Sequence, residues 1–346
     1  IISLIPILTS IKRFQTSQAT GLQIQSVSPR IGSTAGGDKV ILKGRDFQNP
    51  SSSSGSSSPV QLSSLSVGGG HTCALGPDHK AYCWGKNDAG QLGNNPVQST
   101  SHSTPVAVHQ GNIPNGVTLT HLSAGGNHTC ALGSNSKAYC WGLGNYGQLG
   151  IDSFNAGFPI AVTQGAIPSN VNLTYLSAGG DHTCALGSDH KAYCWGNNDK
   201  GQLGNNSTNM SRVPVAVSQG GIPSDINLAH ISVGHYHTCV IGFNGKAYCW
   251  GSNSFGKLGN GSENNSSVPV AVHQGTIPND VNLIQISGGI HHTCSLGSNG
   301  KAYCWGSNIY GELGDGTGGN YGNGSFTPVT VSQGVIPAGV NLIYIS

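Results

Sequence analysis

Charged residues are scarce in this sequence. Asp, Glu, Lys and Arg make up 8% of the 346 residues, and the formal net charge is +2. Charged residues such as Glu, Lys and Arg are also strong helix formers, so their scarcity argues against a helical protein. No basic stripe is available to follow a phosphate backbone, and we therefore expect no nucleic-acid partner.

Long apolar runs are missing too. The N-terminal run at residues 1–8 is too short to span a bilayer, so the sequence predicts no membrane span. Segment 1–21 has two interpretations. It is either the remains of a secretory hydrophobic region, although Lys12-Arg13 follows this region instead of preceding it, or an extended strand that packs on its own chain or on a neighbour. The candidate self-assembly side chains of that strand are Ile1, Ile2, Leu4, Ile5, Ile7, Leu8, Ile11 and Phe14.

Cysteines are present only as regularly spaced pairs. All ten belong to five C-x9-C units, in which the first Cys lies in H-T-C and the second in K-A-Y-C-W-G. The pairs are Cys73–Cys83, Cys130–Cys140, Cys184–Cys194, Cys239–Cys249 and Cys294–Cys304. A set of paired cysteines with none left over indicates an oxidising, extracellular environment.

The spacing within each pair predicts a hairpin. A three-residue turn at 77–79 places Cys73 opposite Cys83 on two antiparallel strands, close enough for a disulfide after modest twisting. Buried reduced thiols and zinc ligation are the alternatives. Zinc sites usually show C-x2-C spacing, so the pattern favours five cross-strand disulfides.

The cysteine pairs recur every 54 to 57 residues and mark a larger repeat. Four short strands fit each unit, of the types N-L-T-Y-L-S, H-T-C-A-L, K-A-Y-C-W and P-V-A-V. Four strands per unit of this length are typical of a propeller blade. The predicted fold is therefore all-β: a β-propeller, or an open propeller arc, of about five four-stranded blades in residues 62–346.

Two segments carry a family resemblance. S-A-G-G-x-H-T-C and W-G-x-N-x-x-G-Q-L-G resemble the regulator of chromosome condensation repeat over residues 62–346, and the disulfides suggest a secreted bacterial type. This family forms β-propellers, commonly with seven blades. The chain carries five units and the opening strand of a sixth, so it closes as a smaller ring, remains an open arc or continues in further residues.

The region before the repeats is expected to hold a small β segment. Residues 22–50 resemble the opening of an immunoglobulin-like IPT/TIG domain, with Ser28-Pro29, Gly36-Gly37 and Phe47 at matching positions. Residues 51–61 are rich in serine and predict a flexible linker.

Candidate chemical residues are periodic, which favours structural roles. One histidine per unit lies in H-T-C, and we expect it to be hydrogen-bonded within the scaffold; these are His71, His128, His182, His237 and His292. The equally periodic tryptophans are expected to pack between blades; these are Trp84, Trp141, Trp195, Trp250 and Trp305. His235-x-His237 and His291-His292 are candidate metal ligands but have no third ligand beside them. No catalytic or phosphate-binding motif occurs, so we expect no metal, no cofactor and no enzymatic activity.

The irregular parts of the repeat are the candidate binding elements. They follow each Q-L-G position, at residues 94–104, 151–157, 205–212, 260–267 and 315–326, and form either a recognition surface or solvated, glycosylated loops. Candidate glycosylation sites are Asn127, Asn172, Asn205, Asn206, Asn209, Asn260, Asn264, Asn265 and Asn323.

Two functions are consistent with these features. The first is a non-enzymatic extracellular structural or cell-surface protein that self-assembles by donating residues 1–14 to a neighbour's open sheet, and extends head to tail into a filament. The second is a secreted binding module, such as an adhesin, a lectin-like domain or a protein inhibitor, whose loops take a protein or glycan ligand.

Overall fold

The structure is a computed structural model that describes residues 23–28, 41–45, 62, 64–94, 100–152, 154–318, 324–337 and 339–345. The candidate self-assembly strand at residues 1–14, the serine-rich linker and Asn323 lie outside this part. Regular structure in the described part is β-strand apart from one 3-10 turn at Ser254–Gly256, and no helix there is long and apolar enough to cross a membrane.

Two strands precede the repeats. β1 (Gln23–Ser28) pairs antiparallel with β2 (Ile41–Arg45), and neither pairs with another of the described strands. This agrees with the expected pair of strands in residues 22–50, while the immunoglobulin-like assignment stays a prediction.

The repeats form five antiparallel four-stranded sheets, which confirms the predicted fold class. Blade 1 consists of β3 (Ser64–Val67), β4 (His71–Leu75), β5 (Ala81–Gly85) and β6 (His102–Ala107). Blade 2 consists of β7 (Leu119–Ala124), β8 (His128–Gly133), β9 (Ala138–Leu143) and β10 (Asn155–Ala161). Blade 3 consists of β11 (Leu173–Ala178), β12 (His182–Gly187), β13 (Ala192–Gly196) and β14 (Ser211–Ala216). Blade 4 consists of β15 (Leu228–Val233), β16 (His237–Gly242), β17 (Ala247–Gly251) and β18 (Ser266–Ala271). Blade 5 consists of β19 (Leu283–Gly288), β20 (His292–Gly297), β21 (Ala302–Gly306) and β22 (Ser325–Thr330).

The central hairpin of each blade has the predicted register. In blade 1, Cys73 lies opposite Cys83, and Gly76 N donates to Lys80 O at 2.9 Å across the turn. All five cysteine pairs are disulfides with Cα–Cα distances of 4.1 Å, and no free cysteine remains. The thiol and zinc alternatives are therefore wrong. The close spacing is that of a non-hydrogen-bonded pair, which brings opposed side chains nearest to each other.

Strand direction gives the arc two distinct faces. The second strand of each blade begins where the third one ends, as the pairing of His71 with Gly85 shows. The segment before the second strand and the loop after the third therefore share one face, which we call the upper face. The hairpin turns and the connections between blades lie on the opposite, lower face, where Leu119 N donates to His79 O.

Consecutive blades are joined by a repeated set of hydrogen bonds, which we call the latch. Between blades 3 and 4, His182 Nε2 lies 2.9 Å from Thr238 Oγ1, and Thr238 Oγ1 donates to Gln202 O at 3.0 Å. Trp250 Nε1 donates to the same carbonyl at 2.9 Å. The other three latches are His71–Thr129–Gln91–Trp141, His128–Thr183–Gln148–Trp195 and His237–Thr293–Lys257–Trp305. The structural roles predicted for the periodic histidines and tryptophans are confirmed at these four interfaces.

The latch determines the protonation state of its histidine. The threonine hydroxyl has one proton and gives it to the carbonyl, so the imidazole must donate from Nε2. Nδ1 has no hydrogen-bond partner among the described residues at His71, His128, His182 and His237, so a proton there would have no acceptor and the neutral tautomer is favoured. Burial lowers the pKa of His71 to about 4 and that of His128 and His182 to about 3, so these side chains stay neutral.

The latches do not close a ring in the described part of the chain. Leu65 of β3 is 59% exposed, whereas its counterpart Leu176 in blade 3 is completely buried. Trp84 is half-buried, while the four other tryptophans are completely buried. At the other end, His292 finds no threonine partner among the described residues. Of the three expected alternatives, the structure therefore shows an open arc.

The neutral latch makes stability depend on pH. A folded pKa of about 3 for His182 lies below the ordinary value of 6.5, so the unfolded chain binds protons first as the pH falls. The contribution of neutral His182 to the free energy of unfolding is fully present above the ordinary pKa. It decreases by about 1.4 kcal/mol per pH unit as the pH falls from the ordinary pKa towards the pKa of the folded state. We expect His182→Gln, whose amide still donates to Thr238, to flatten the acid dependence of the urea unfolding midpoint. The exposed turn variant His190→Gln is the control, and equal acid dependence in both variants would contradict the assignment.

Candidate functional site

The upper face carries the variable parts of the repeat. The described residues of all five predicted binding loops lie there, because each loop joins the third strand of its blade to the fourth. The short segments that precede the second strands lie beside them. Sequence variation is thus concentrated on one face, while hairpins and latches repeat with little change.

Two side chains give the upper loop its shape. In blade 3, Asn198 Oδ1 accepts from Leu203 N at 2.9 Å, and Gln202 Oε1 accepts from Lys200 N at 2.8 Å. The glutamine-type bond recurs at Gln91, Gln148 and Glu312. The polar residues of W-G-x-N-x-x-G-Q-L-G therefore satisfy backbone groups of their own loop.

Blade 4 breaks this pattern at Lys257. A lysine has no acceptor atom, so it cannot bind the backbone N–H of Phe255 as glutamine does in other blades. Its side chain is completely buried, and Nζ donates to Ser254 Oγ at 3.1 Å and to Ile290 O at 3.4 Å. Phe255 adopts a φ of 65°, in the left-handed region that bulky residues avoid.

Lys257 is a buried cation that has no counter-ion in the part of the chain that the structure describes. No carboxylate of the described residues lies within 4.0 Å of its ammonium group. Burial lowers the pKa of Lys257 to about 8, so the group is still mostly charged at neutral pH. Holding an unpaired charge inside a protein is costly, which marks this position as a functional candidate.

The residues around Lys257 depart from the repeat as well. In the three residues before the second strand, blades 1 to 3 have two glycines and a variable residue. The same three positions are Gly234, His235 and Tyr236 in blade 4, and Gly289, Ile290 and His291 in blade 5. Phe255 and His291 meet edge to face with ring centroids 5.4 Å apart. We call Phe255, Lys257, Ile290 and His291 the blade 4–5 site. Ile290 is 56% exposed and Phe255 is 38% exposed, so the site presents an apolar surface above a buried charge.

The charges around the site divide it into two halves. At His291 the pKa is lowered first by burial and then by the Lys257 charge, which outweighs the opposing effect of Glu312. At His235 burial also lowers the pKa, but there the opposing carboxylate of Asp181 outweighs Lys257. Among the charged groups, Lys257 therefore has the larger effect on the pKa of His291 and Asp181 has the larger effect on the pKa of His235.

The structure separates the two histidines of each candidate metal-binding pair. His237 belongs to a latch, whereas His235 lies on the upper face next to Tyr236, with ring centroids 4.1 Å apart. His291 is exposed on the upper face, whereas His292 is the half-buried counterpart of the latch histidines. The described residues contain no group of three His, Cys, Asp or Glu side chains that could hold a metal ion.

The candidate glycosylation sites differ in accessibility. The exposed ones are Asn172, Asn206, Asn209, Asn264 and Asn265. Asn127, Asn205 and Asn260 are half-buried, and each uses its side-chain oxygen to accept a hydrogen bond from another side chain. Glycosylation at all of these positions stays a prediction.

Lys257 was missed by the sequence interpretation. The available signal is that G-Q-L-G in the first three repeats becomes G-K-L-G at Lys257 and G-E-L-G at Glu312. Matching the repeat as a family signature hides this change, because the glycines and leucine still fit.

Replacing the buried charge is expected to stabilise blade 4. Lys257→Gln introduces the residue that blades 1 to 3 already use, so Phe255 N regains an acceptor and the unpaired cation is lost. We expect the free energy of unfolding to rise by about 1 kcal/mol or more, measured by urea denaturation. Lys246→Gln, at an exposed lysine on the lower face of the same blade, is the matched control and should change stability by less than about 0.5 kcal/mol. A destabilised Lys257→Gln protein would contradict this account.

Comparison with known proteins agrees with the repeat architecture. The crystal structure of human WBSCR16 superposes with a TM-score of 0.68 at 24% identity, covering 79% of this chain and 68% of that one, which shows the shared fold. The ultraviolet-B receptor UVR8 of Arabidopsis thaliana is 27% identical over 258 residues, which are 74% of this chain and 56% of that protein. The probable E3 ubiquitin-protein ligase HERC6 of Homo sapiens is 31% identical over 262 residues, which are 74% of this chain and 24% of that protein. This chain thus spans about half or less of these two relatives.

A family model covers most of the chain. Residues 32–341 match the RCC1-like domain, and this range includes all five blades. The repeat motifs, the five four-stranded sheets and this match agree with one another. The chain belongs to the RCC1-like domain family.

Proposed function

We propose that this chain is a non-enzymatic extracellular recognition module that binds a protein partner through its upper face. The blade 4–5 site is the anchor of that surface. The observation that carries the proposal is that several departures from the repeat lie in one place. They are the buried Lys257, the left-handed Phe255, and the segment Ile290-His291, in which Ile290 replaces the second glycine of blades 1 to 3.

Several features support binding over catalysis. Aromatic and aliphatic side chains on a rigid scaffold are the usual anchors of protein interfaces. The Glu312 carboxylate accepts from Tyr310 N at 2.8 Å and from Ser307 Oγ at 3.3 Å, so both oxygens are occupied in shaping the loop. Five disulfides support an oxidising, extracellular location.

The upper face is tested with a displayed library of random peptides selected on the wild-type protein. We expect Phe255→Ser to reduce binding of the selected peptides at least about tenfold, since truncating an interface anchor typically costs more than 1 kcal/mol. Phe243→Ser is the matched control, because Phe243 is 67% exposed in the same blade but lies in the hairpin turn of the lower face. Equal losses in both variants, or no peptide enriched on the wild type, would contradict the proposal.

Self-association is a second candidate function. Leu65 and Val67 on the outer side of blade 1 are 59% and 68% exposed, whereas the matching positions of blades 2 to 4 are buried against a preceding blade. Such a face is suited to pack against another blade, here one from a second copy. We propose head-to-tail association through this face. Extension into a filament, and strand donation from residues 1–14, belong to the same proposal.

Sedimentation velocity over a concentration series tests self-association. We expect the wild-type chain to form larger species as its concentration rises, and Leu65→Asp to remain monomeric because it places a charge in the apolar contact. Removal of residues 1–20 reports separately on strand donation. Phe243→Ser on the lower face should behave as the wild type does. A wild-type protein that stays monomeric at every concentration rules the candidate out.

A further inference from the structure

We propose that the blade 4–5 site recognises a carboxylate side chain, Asp or Glu, on the protein partner, and that Lys257 sets this preference. This inference rests on the proposed function of the upper face and names the chemistry of its partner. The occupant is an acidic residue flanked by an apolar one.

The first argument is the unpaired charge. Lys257 donates only to two neutral oxygens, those of Ser254 and Ile290, and the described residues offer no carboxylate within 4.0 Å. A shielded cation of this kind attracts an anion more strongly than a solvated surface lysine does, because little water screens it. A carboxylate of the partner would therefore supply the counter-charge that the described residues do not provide.

The second argument is the position of that charge just below the surface. Ile290 O accepts from Lys257 Nζ at 3.4 Å, and Ile290 itself is 56% exposed. A carboxylate resting on this segment would be separated from the ammonium group by one backbone carbonyl. The carboxylate would be attracted by the charge of Lys257 while the lysine side chain stays buried.

The third argument places the carboxylate beside His291. The imidazole is exposed, and there the effect of Lys257 on its pKa exceeds that of Glu312. The imidazole can donate a hydrogen bond to an incoming oxygen. On the other side of the site Asp181 has a larger effect than Lys257 on the pKa of His235, so a second carboxylate placed there would meet the charge of Asp181.

The fourth argument concerns the apolar neighbours. Phe255 and Ile290 flank the imidazole and expose apolar surface, which suits an aliphatic or aromatic side chain next to the acidic one. Phe255 is held against His291 in a left-handed conformation, and this conformation accompanies lysine in place of glutamine. The left-handed backbone of Phe255 and the unpaired charge of Lys257 lower local stability but create a contact surface that is both charged and apolar. Such a loss of stability is common at functional sites.

Two matched peptide libraries test the inference. In one, short randomised peptides carry a fixed Glu; in the other, the same position carries Gln. Retention of each library is compared on the wild type, on Lys257→Gln and on Lys246→Gln. Lys257→Gln copies the residue of blades 1 to 3 and is expected to fold, and Lys246→Gln removes an equal charge from the lower face.

The expected result is roughly a five- to tenfold preference of the wild type for the Glu library, the range of a partly shielded ion pair. Lys257→Gln should lose this preference while still binding the Gln library, and Lys246→Gln should keep it. Equal retention of both libraries by the wild type overturns the inference and leaves the proposed function standing. A preference that survives in Lys257→Gln overturns it as well. Retention of neither library by any of the three proteins rules out the proposed function together with the inference.

Discussion

Each blade is joined to the next by a histidine that donates to a threonine hydroxyl, and that hydroxyl donates to a backbone carbonyl shared with a tryptophan N–H. All four groups are buried, so each must be satisfied by a partner or cost the fold a desolvated polar atom. The chain places its partners about one repeat apart, in neighbouring blades. The arc therefore depends on a polar contact that only correctly spaced repeats can make. The disulfides act within blades, whereas the latch acts between them.

Because disulfides stabilise each blade and latches join the blades, the upper face remains available to a partner. The hairpin register recurs in all five blades and the latch at the four interfaces between them, and the Asn and Gln side chains of the upper loops satisfy the backbone of their own loop. Substitutions on the upper face thus change the surface without changing the scaffold. Lys257 differs from the glutamines at its position in its side chain, which belongs to the blade 4–5 site, while its carbonyl belongs to a latch as theirs do. Scaffold and site meet at this residue.

Much of the fold could be predicted from local sequence. The register of Cys73 with Cys83 follows from a three-residue turn, and the four-strand unit follows from the repeat length. Structural roles for the periodic histidines and tryptophans were also predictable, because a residue that occurs once per blade at one place has a scaffold role. The identity of their partners was not, because His182 and Thr238 are 56 residues apart and belong to different blades.

The candidate site was predictable only in outline. Loops that vary around a constant scaffold pointed to one face of the arc. The closely spaced histidines His235-x-His237 and His291-His292 were candidate metal ligands, but in the structure the two histidines of each pair have different surroundings. By itself, the sequence determined the blade and its disulfide, because these depend on turns and spacings within one unit. Tertiary structure alone decided that Lys257 is buried beneath Ile290 and beside His291, with no counter-ion among the described residues. Those residues come from separate units, and only the packing of blade 5 on blade 4 brings them together and removes the water.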